Sequence, residues 1–271
     1  MPFSLPQLLL GLLLAALIAA AAYRLRALDR SGAAAAALLG TVVFGLGGLA
    51  WAVVMMAFFV SSSALSRLAG RRKAALNEKF SKGHRRDAGQ VLANGGVAGL
   101  FVLLHLAFPD AAWPWAGFAG ALAAANADTW ATELGVLSRR LPRRITTWET
   151  VERGESGGVS LTGTLAALSG AALIAAAAAF GPAGGGTAAL PLRLGAVTLA
   201  GLAGSLVDSL LGATVQAIYF CPTCQKETER HPRHTCGTDT TPLRGWRWLD
   251  NDWVNAACTL AGALLAAVLL L

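Results

Sequence analysis

The sequence predicts an all-α, polytopic transmembrane helical bundle, and three observations carry that prediction. Of 271 residues, 55% are hydrophobic and only 14% are charged, against roughly 25% charged in ordinary soluble domains. The charges gather in short blocks. Between the blocks lie uncharged runs close to the ~20 apolar residues that cross a bilayer. This pattern excludes a disordered chain, a coiled coil, a disulfide-stapled mini-protein and a soluble α/β enzyme. The net charge of +7 first suggests nucleic acid. However, the basic residues flank apolar segments, as the positive-inside rule requires, so no nucleic-acid partner is expected.

Each segment follows in order. Ser4 to Tyr23 is the first span; no positive charge precedes it, so it reads as an uncleaved helix rather than a secretory signal. Arg24, Arg26, Asp29 and Arg30 form a short basic loop. Gly32 to Ser66 is too long for one simple span and is interrupted at Gly45 to Gly48. The loop from Arg67 to Asp87 is the most basic, with Arg71, Arg72, Lys73, Lys79, Lys82, Arg85 and Arg86. Two short helices between Gly32 and Ser66 place both basic loops on one side, so the charge rule favours two. Helices are expected at Ala88–Phe108 and Trp115–Leu137, then a polar loop over Ser138–Glu155. A helix at Gly158–Phe180, a Gly/Pro loop at Gly181–Pro191 and a helix at Leu192–Phe220 come next. Cys221–Asp250 is a long polar segment, and Asp252–Leu271 is the last helix. The result is a single domain over residues 1–271 with about eight spans, seven being the alternative. The termini lie outside, in the plasma (inner) membrane, and the basic loops face the cytoplasm.

Acidic residues inside the expected spans are Asp128, Glu133 and Asp208. A charge there costs about 2.5–3.5 kcal/mol on insertion scales, so its presence calls for compensation. Apart from Arg193 at the far end of the Leu192–Phe220 helix, no Lys or Arg lies within an expected span to pair with them, which points to a metal ion, a proton or a hydrated cavity. At roughly 100° per residue, Asp128, Thr129, Thr132 and Glu133 fall within about 140° of arc, with Asn126 beside it. Ser205, Asp208, Ser209, Gly212 and Gln216 fall within about 100°. Both aspartates lie roughly 15 Å from the inner ends of their helices.

Other candidates lie on the same side. Gln90 and Asn94 share a helix face. Gly154-Glu155-Ser156-Gly157-Gly158 precedes a helix N-terminus, where free backbone N–H groups suit phosphate; an ordinary flexible cap is the plain alternative. Asp250-Asn251-Asp252 and Asn255 open the last helix and offer hard oxygen ligands for Mg²⁺. Metal and phosphate groups at a cytoplasm-facing membrane cavity suggest phosphoryl transfer involving a lipid. Separately, Cys221-Pro222-Thr223-Cys224 followed by His231, His234 and Cys236 has good spacing for tetrahedral zinc. The best set is Cys221, Cys224, His234 and Cys236, with His231 as the alternate; reduced thiols in a loop held otherwise are the alternative. Cys258 reads as a small packing residue.

Asn126-Ala127-Asp128-Thr129-Trp130-Ala131-Thr132-Glu133-Leu134-Gly135 resembles a motif of one integral-membrane family. That family contains transmembrane protein 19 and the phytyl-phosphate kinase of the vitamin E pathway. The resemblance extends to Gln90–Gly96, Ser156–Ser160, Gly204–Ala213 and Trp248–Asn255, and so to nearly the whole chain after the first helix. It implies a Mg²⁺-dependent kinase that passes a phosphate from a nucleotide, CTP or another, to an isoprenyl monophosphate such as phytyl or geranylgeranyl phosphate. Asp128, Glu133, Asp208 and Asp252 would hold Mg²⁺, and Asn94, Asn126, Ser209 and Asn255 would orient phosphates. Arg143, Arg144 and Ser156 would contact the nucleotide, with Gln90, Thr129, Thr132, Gly157, Gly158, Ser205 and Asn251 lining the phosphate site. Competing readings are a CTP-dependent lipid-phosphate cytidylyltransferase, an ion- or proton-coupled transporter built on the same carboxylates, and a structural or lipid-sorting protein.

Overall fold

The computed structural model describes residues 4–70, 85–179, 181 and 189–271. Most of the basic Arg67–Asp87 loop and of the Gly/Pro loop therefore lies outside the described residues. Among the described residues, eight α-helices run in chain order: α1 (Leu5–Arg24), α2 (Arg30–Val42), α3 (Leu49–Gly70), α4 (Ala88–Ala107), α5 (Trp113–Gly135), α6 (Leu161–Ala178), α7 (Leu190–Thr214) and α8 (Asn251–Leu269). Among the described residues, seven helical segments are long and apolar enough to cross a membrane. Their outer faces are apolar: Leu9, Leu12, Leu92, Leu199 and Leu264 are all exposed. Such a surface suits lipid, where the backbone is satisfied within each helix.

α5 is the helix missing from those seven. It forms the core of the bundle. Every residue from Pro114 to Ala127 is buried, and α3, α4, α6, α7 and α8 all pack on it. A helix surrounded by protein needs no lipid-facing leucines, so alanine and glycine dominate it and neighbouring backbones approach closely. At Gly120 a Cβ would lie 2.3 Å from the Gly262 carbonyl oxygen of α8. At Gly201 it would lie 2.8 Å from Ala123 Cβ of α5.

The expected break after Gly32 is present. α2 runs into a π-helical turn (Val43–Gly47), and Gly48 adopts φ +88° before α3 starts. The carbonyls of Phe44 and Gly45 accept hydrogen bonds from Gln7 Nε2 of α1, at 3.3 and 3.2 Å.

Two expected boundaries shift. The helix expected to begin at Gly158 begins at Leu161, because Ser160 caps it by accepting from Gly163 N at 3.1 Å. Gly158 instead belongs to a two-stranded ribbon, β1 (Arg143–Arg144) with β2 (Gly158–Val159). The helix expected to reach Phe220 ends at Thr214, where the chain turns into β3 (Ile218–Cys221). β3 pairs antiparallel with β4 (Lys226–Thr228) and β5 (Thr241–Arg244), so the long polar segment folds as a three-stranded sheet in the order β4-β3-β5.

Candidate functional site

Asp128 sits where α5 emerges from its fully buried stretch, and Asp208 sits on α7. Both line one cavity of about 180 Å³, and they lie close enough for their charges to repel. The α5 wall adds Thr132, and the α7 wall adds Ser205 and Ser209. Asn251 and Asn255 enter from the start of α8, and Ser156, Gly157 and Gly158 close the cavity from the loop.

Local structure explains this convergence. Gly157 adopts φ +85°, and a Cβ there would lie 2.4 Å from Ala213 Cβ. The loop therefore lies directly on the C-terminal end of α7. Ile145 N donates to Gly157 O at 3.0 Å, extending the ribbon that holds the loop. Ser160, Gly163 and Thr164 also line the cavity, so the N-terminus of α6 opens onto it. The first turn of α8 does the same. Two helix N-termini favour negative charge at this point. Arg153 adds a cation; its Nη2 donates to the carbonyls of Ser138 and Arg139 at 3.0 and 3.2 Å.

Arg153 and Glu229 are lining residues absent from the sequence-based candidates. Glu229 Oε1 accepts from Ser156 Oγ at 3.0 Å and from the buried Gln216 Nε2 at 2.9 Å. Nothing in local sequence marks Glu229, because its partners lie far along the chain. Asp208 Oδ2 is buried and accepts no hydrogen bond among the described residues. A buried carboxylate oxygen without a donor, beside a second carboxylate, fits a hard cation such as Mg²⁺.

Other sequence candidates lie elsewhere. Glu133 does not line the cavity: Ser66 Oγ donates to its Oε1 at 2.9 Å, and Arg86 lies nearby. That positive charge comes from the loop before α4 rather than from within a helix. Burial pushes the Arg86 guanidinium below its ordinary value, opposed by the Glu133 charge. Asn126 is fully buried and joins three helices; its Nδ2 donates to Gly170 O at 2.8 Å, and its Oδ1 accepts from Ser61 Oγ at 3.0 Å. Thr129 donates back to Ala125 O at 2.9 Å.

Asp252 lies in the first turn of α8 outside the cavity, where its charge suits the helix N-terminus. Arg143 and Arg144 form β1, and neither lines the cavity. Arg144 instead bonds Glu155, which holds its guanidinium above the ordinary value. Gln90 and Asn94 line a second, apolar cavity of about 380 Å³ among α1, α2, α3 and α4. Gln90 also completes a capping box with Asp87.

The ligand atoms of Cys221, Cys224, His234 and Cys236 lie within 4.8 Å of one another. His231 is not among them and stacks on Tyr219, with ring centroids 4.4 Å apart. Hydrogen bonding, first from Thr238 and then from His234, brings the Cys236 thiol down to about 6.

Fold and cavity define an integral membrane helical bundle with paired carboxylates facing a polar, loop-capped chamber. The chain belongs to the family described as integral membrane protein DUF92, whose model matches residues 13–263. It is 32% identical to Protein PGR of Arabidopsis thaliana, over 97% of this chain and 96% of that protein. It is 34% identical to a membrane protein of Methanocaldococcus jannaschii, over 76% of this chain and 82% of the relative. It is 27% identical to Protein VTE6, chloroplastic, of Arabidopsis thaliana, over 89% of this chain and 65% of that protein. No solved structure matches.

Proposed function

We propose that the protein is a membrane-embedded, Mg²⁺-dependent kinase that transfers the terminal phosphate of a nucleoside triphosphate to an isoprenyl monophosphate. The observation that carries this reading is the pair Asp128 and Asp208 in one cavity, with the Asp208 Oδ2 buried and without a hydrogen-bond donor among the described residues. The motif resemblance to the family that contains the phytyl-phosphate kinase of the vitamin E pathway supports the same chemistry. The residues present fit the metal, which Asp128 and Asp208 would hold. When bound, it supplies positive charge that offsets the phosphate oxygens.

The chain's own groups do the rest. In this reading the phosphate groups occupy the cavity, and the base and the prenyl tail lie outside it. An oxygen of the prenyl monophosphate attacks the terminal phosphorus. The bond to the bridging oxygen breaks, and the nucleoside diphosphate leaves with that electron pair. Arg153 and the N-termini of α6 and α8 oppose the charge on the transferred group. The Ser156–Gly158 loop covers the cavity and limits water. Ser205 and Ser209 offer hydroxyls to phosphate oxygens. The basic loops orient this end of the bundle toward the cytoplasmic side of the membrane.

The test is direct. Detergent-purified protein with Mg²⁺ is offered γ-labelled CTP or ATP together with phytyl, farnesyl or geranylgeranyl monophosphate. Label in a prenyl diphosphate is the expected outcome and identifies donor and lipid. Release of pyrophosphate instead of nucleoside diphosphate assigns cytidylyl transfer. No transfer by folded protein, with ion flux in nucleotide-free liposomes, assigns a transporter.

A further inference from the structure

The segment from β3 to β5 carries more order than its apolar content explains. Among its buried residues only Ile218 and Tyr219 are large and apolar; the others are Cys221, Thr228, His234 and Thr240. A unit this small without a core needs a staple.

Two tight turns supply the ligands for one. In the first, Gln225 adopts φ +52°, and its N–H donates to Cys221 O at 2.9 Å. This sets Cys221 and Cys224 side by side. In the second, Gly237 adopts φ +86°, and its N–H donates to His234 O at 2.9 Å. This sets His234 beside Cys236. The hydroxyls of Thr223 and Thr238, 2.8 Å apart, join the two turns. Cys221 Sγ lies 3.6 Å from Cys236 Sγ, and His234 Nδ1 lies 3.3 Å from Cys236 Sγ. A tetrahedral zinc ion with Zn–S bonds of about 2.3 Å needs sulfurs about 3.8 Å apart. Four protein ligands close the coordination shell, which is the arrangement of a structural rather than a catalytic zinc.

We propose that Cys221, Cys224, His234 and Cys236 bind a structural zinc ion that clasps the β3–β5 sheet and thereby seats Glu229 in the carboxylate cavity. Glu229 follows β4 by one residue and bridges Ser156 and Gln216 there. Zinc is thus a structural determinant of the cavity's loop wall. It stands apart from the transferred phosphate, so this inference does not depend on the kinase reading.

The experiment uses full-length protein in detergent without nucleotide or lipid. Metal analysis is expected to find one zinc per chain. Cobalt exchange is expected to give the intense visible absorption of tetrahedral cobalt–thiolate. Cys224→Ser and Cys236→Ser lose the metal, while His231→Ala keeps it. Chelating zinc from the wild type raises hydrogen exchange over 218–244 and also over 154–158. Wild-type protein that binds neither zinc nor cobalt overturns the site. Metal retained in both cysteine variants does the same. Unchanged exchange at 154–158 after zinc removal overturns the seating of Glu229.

Discussion

Replacing Gly157 with alanine tests how the cavity is closed. The residue has φ +85°, and its added Cβ would sit 2.4 Å from Ala213 Cβ and 2.5 Å from both Cα and N of the same residue. Left-handed backbone costs a non-glycine residue roughly 1–2 kcal/mol. Overpacking against a backbone that cannot rotate away costs about 1–3 kcal/mol more. The sum is about 2–5 kcal/mol, unless the loop lifts from α7 to relieve it. Lifting also separates Ser156 from Glu229 and opens the cavity, so stability and activity fall together. Thermal unfolding in detergent is the assay, with Gly195→Ala as the reference. Gly195 also lies on α7, a methyl group added there would have nothing within 4 Å, and alanine is the better helix former by about 1 kcal/mol. A Gly157→Ala midpoint equal to wild type refutes the close approach of loop and helix.

Further substitutions separate catalytic from structural roles. Asp128→Asn and Asp208→Asn keep the helices but remove charge from the cavity. Each is expected to lower phosphoryl transfer at least about a hundredfold, equivalent to about 3 kcal/mol of barrier, with little loss of thermal stability. Radiolabel transfer and thermal unfolding on the same preparations check this. Asn126→Ala does the reverse. It removes the hydrogen bonds to the Gly170 carbonyl and from the Ser61 hydroxyl, costing about 1–2 kcal/mol in a membrane bundle, and its residual activity tracks the folded fraction. Arg86→Gln removes the positive charge near Glu133 and a 3.3 Å hydrogen bond to Ser62 Oγ. Both residues are only half-buried, so the expected result is a modestly lower thermal midpoint that Glu133→Gln partly restores.

Hydropathy and charge placement made the spans legible, because both are properties of contiguous sequence. The two-helix reading of Gly32–Ser66 rested on the glycines at 45–48, and Gly48 does take the left-handed turn. α5 shows the opposite case. Apolar faces turned to protein rather than lipid need not be strongly hydropathic, so its central position was not visible. Helical arithmetic does bear on the candidates around it. Asn126 and Asp128 are about 200° apart, and Glu133 is about 140° from Asp128. An arc of about 140° suggested one cluster, yet it is wide enough for the helix to point these side chains toward different neighbours. Glu229 and Arg153 escaped because their positions depend on the fold of polar loops. Periodicity carries no information about such loops, and the Cys/His spacing marked a metal site without showing where Glu229 would fall.

The small residues of the bundle set the distance between the carboxylates. Gly204 lies one turn before Asp208 on the same face of α7. A Cβ there would meet Ala124 Cβ of α5 at 2.6 Å and the Cys258 carbonyl of α8 at 2.7 Å. Ordinary contact distances require α7 to move outward by about 1 Å. That displacement costs about 1–3 kcal/mol as overpacking. It also carries Asp208 away from Asp128, and a shift of this size in a reacting constellation costs as much as about a hundredfold in rate. Gly204→Ala should therefore bind Mg²⁺ more weakly and transfer phosphate more slowly, although the altered residue does not line the carboxylate cavity. Titrating activity against Mg²⁺ distinguishes the two effects of the substitution. A variant that is merely less stable keeps the wild-type half-saturating Mg²⁺ concentration. One whose carboxylates have separated requires more metal. A wild-type Mg²⁺ dependence would show that the tight α5–α7–α8 crossing serves packing alone.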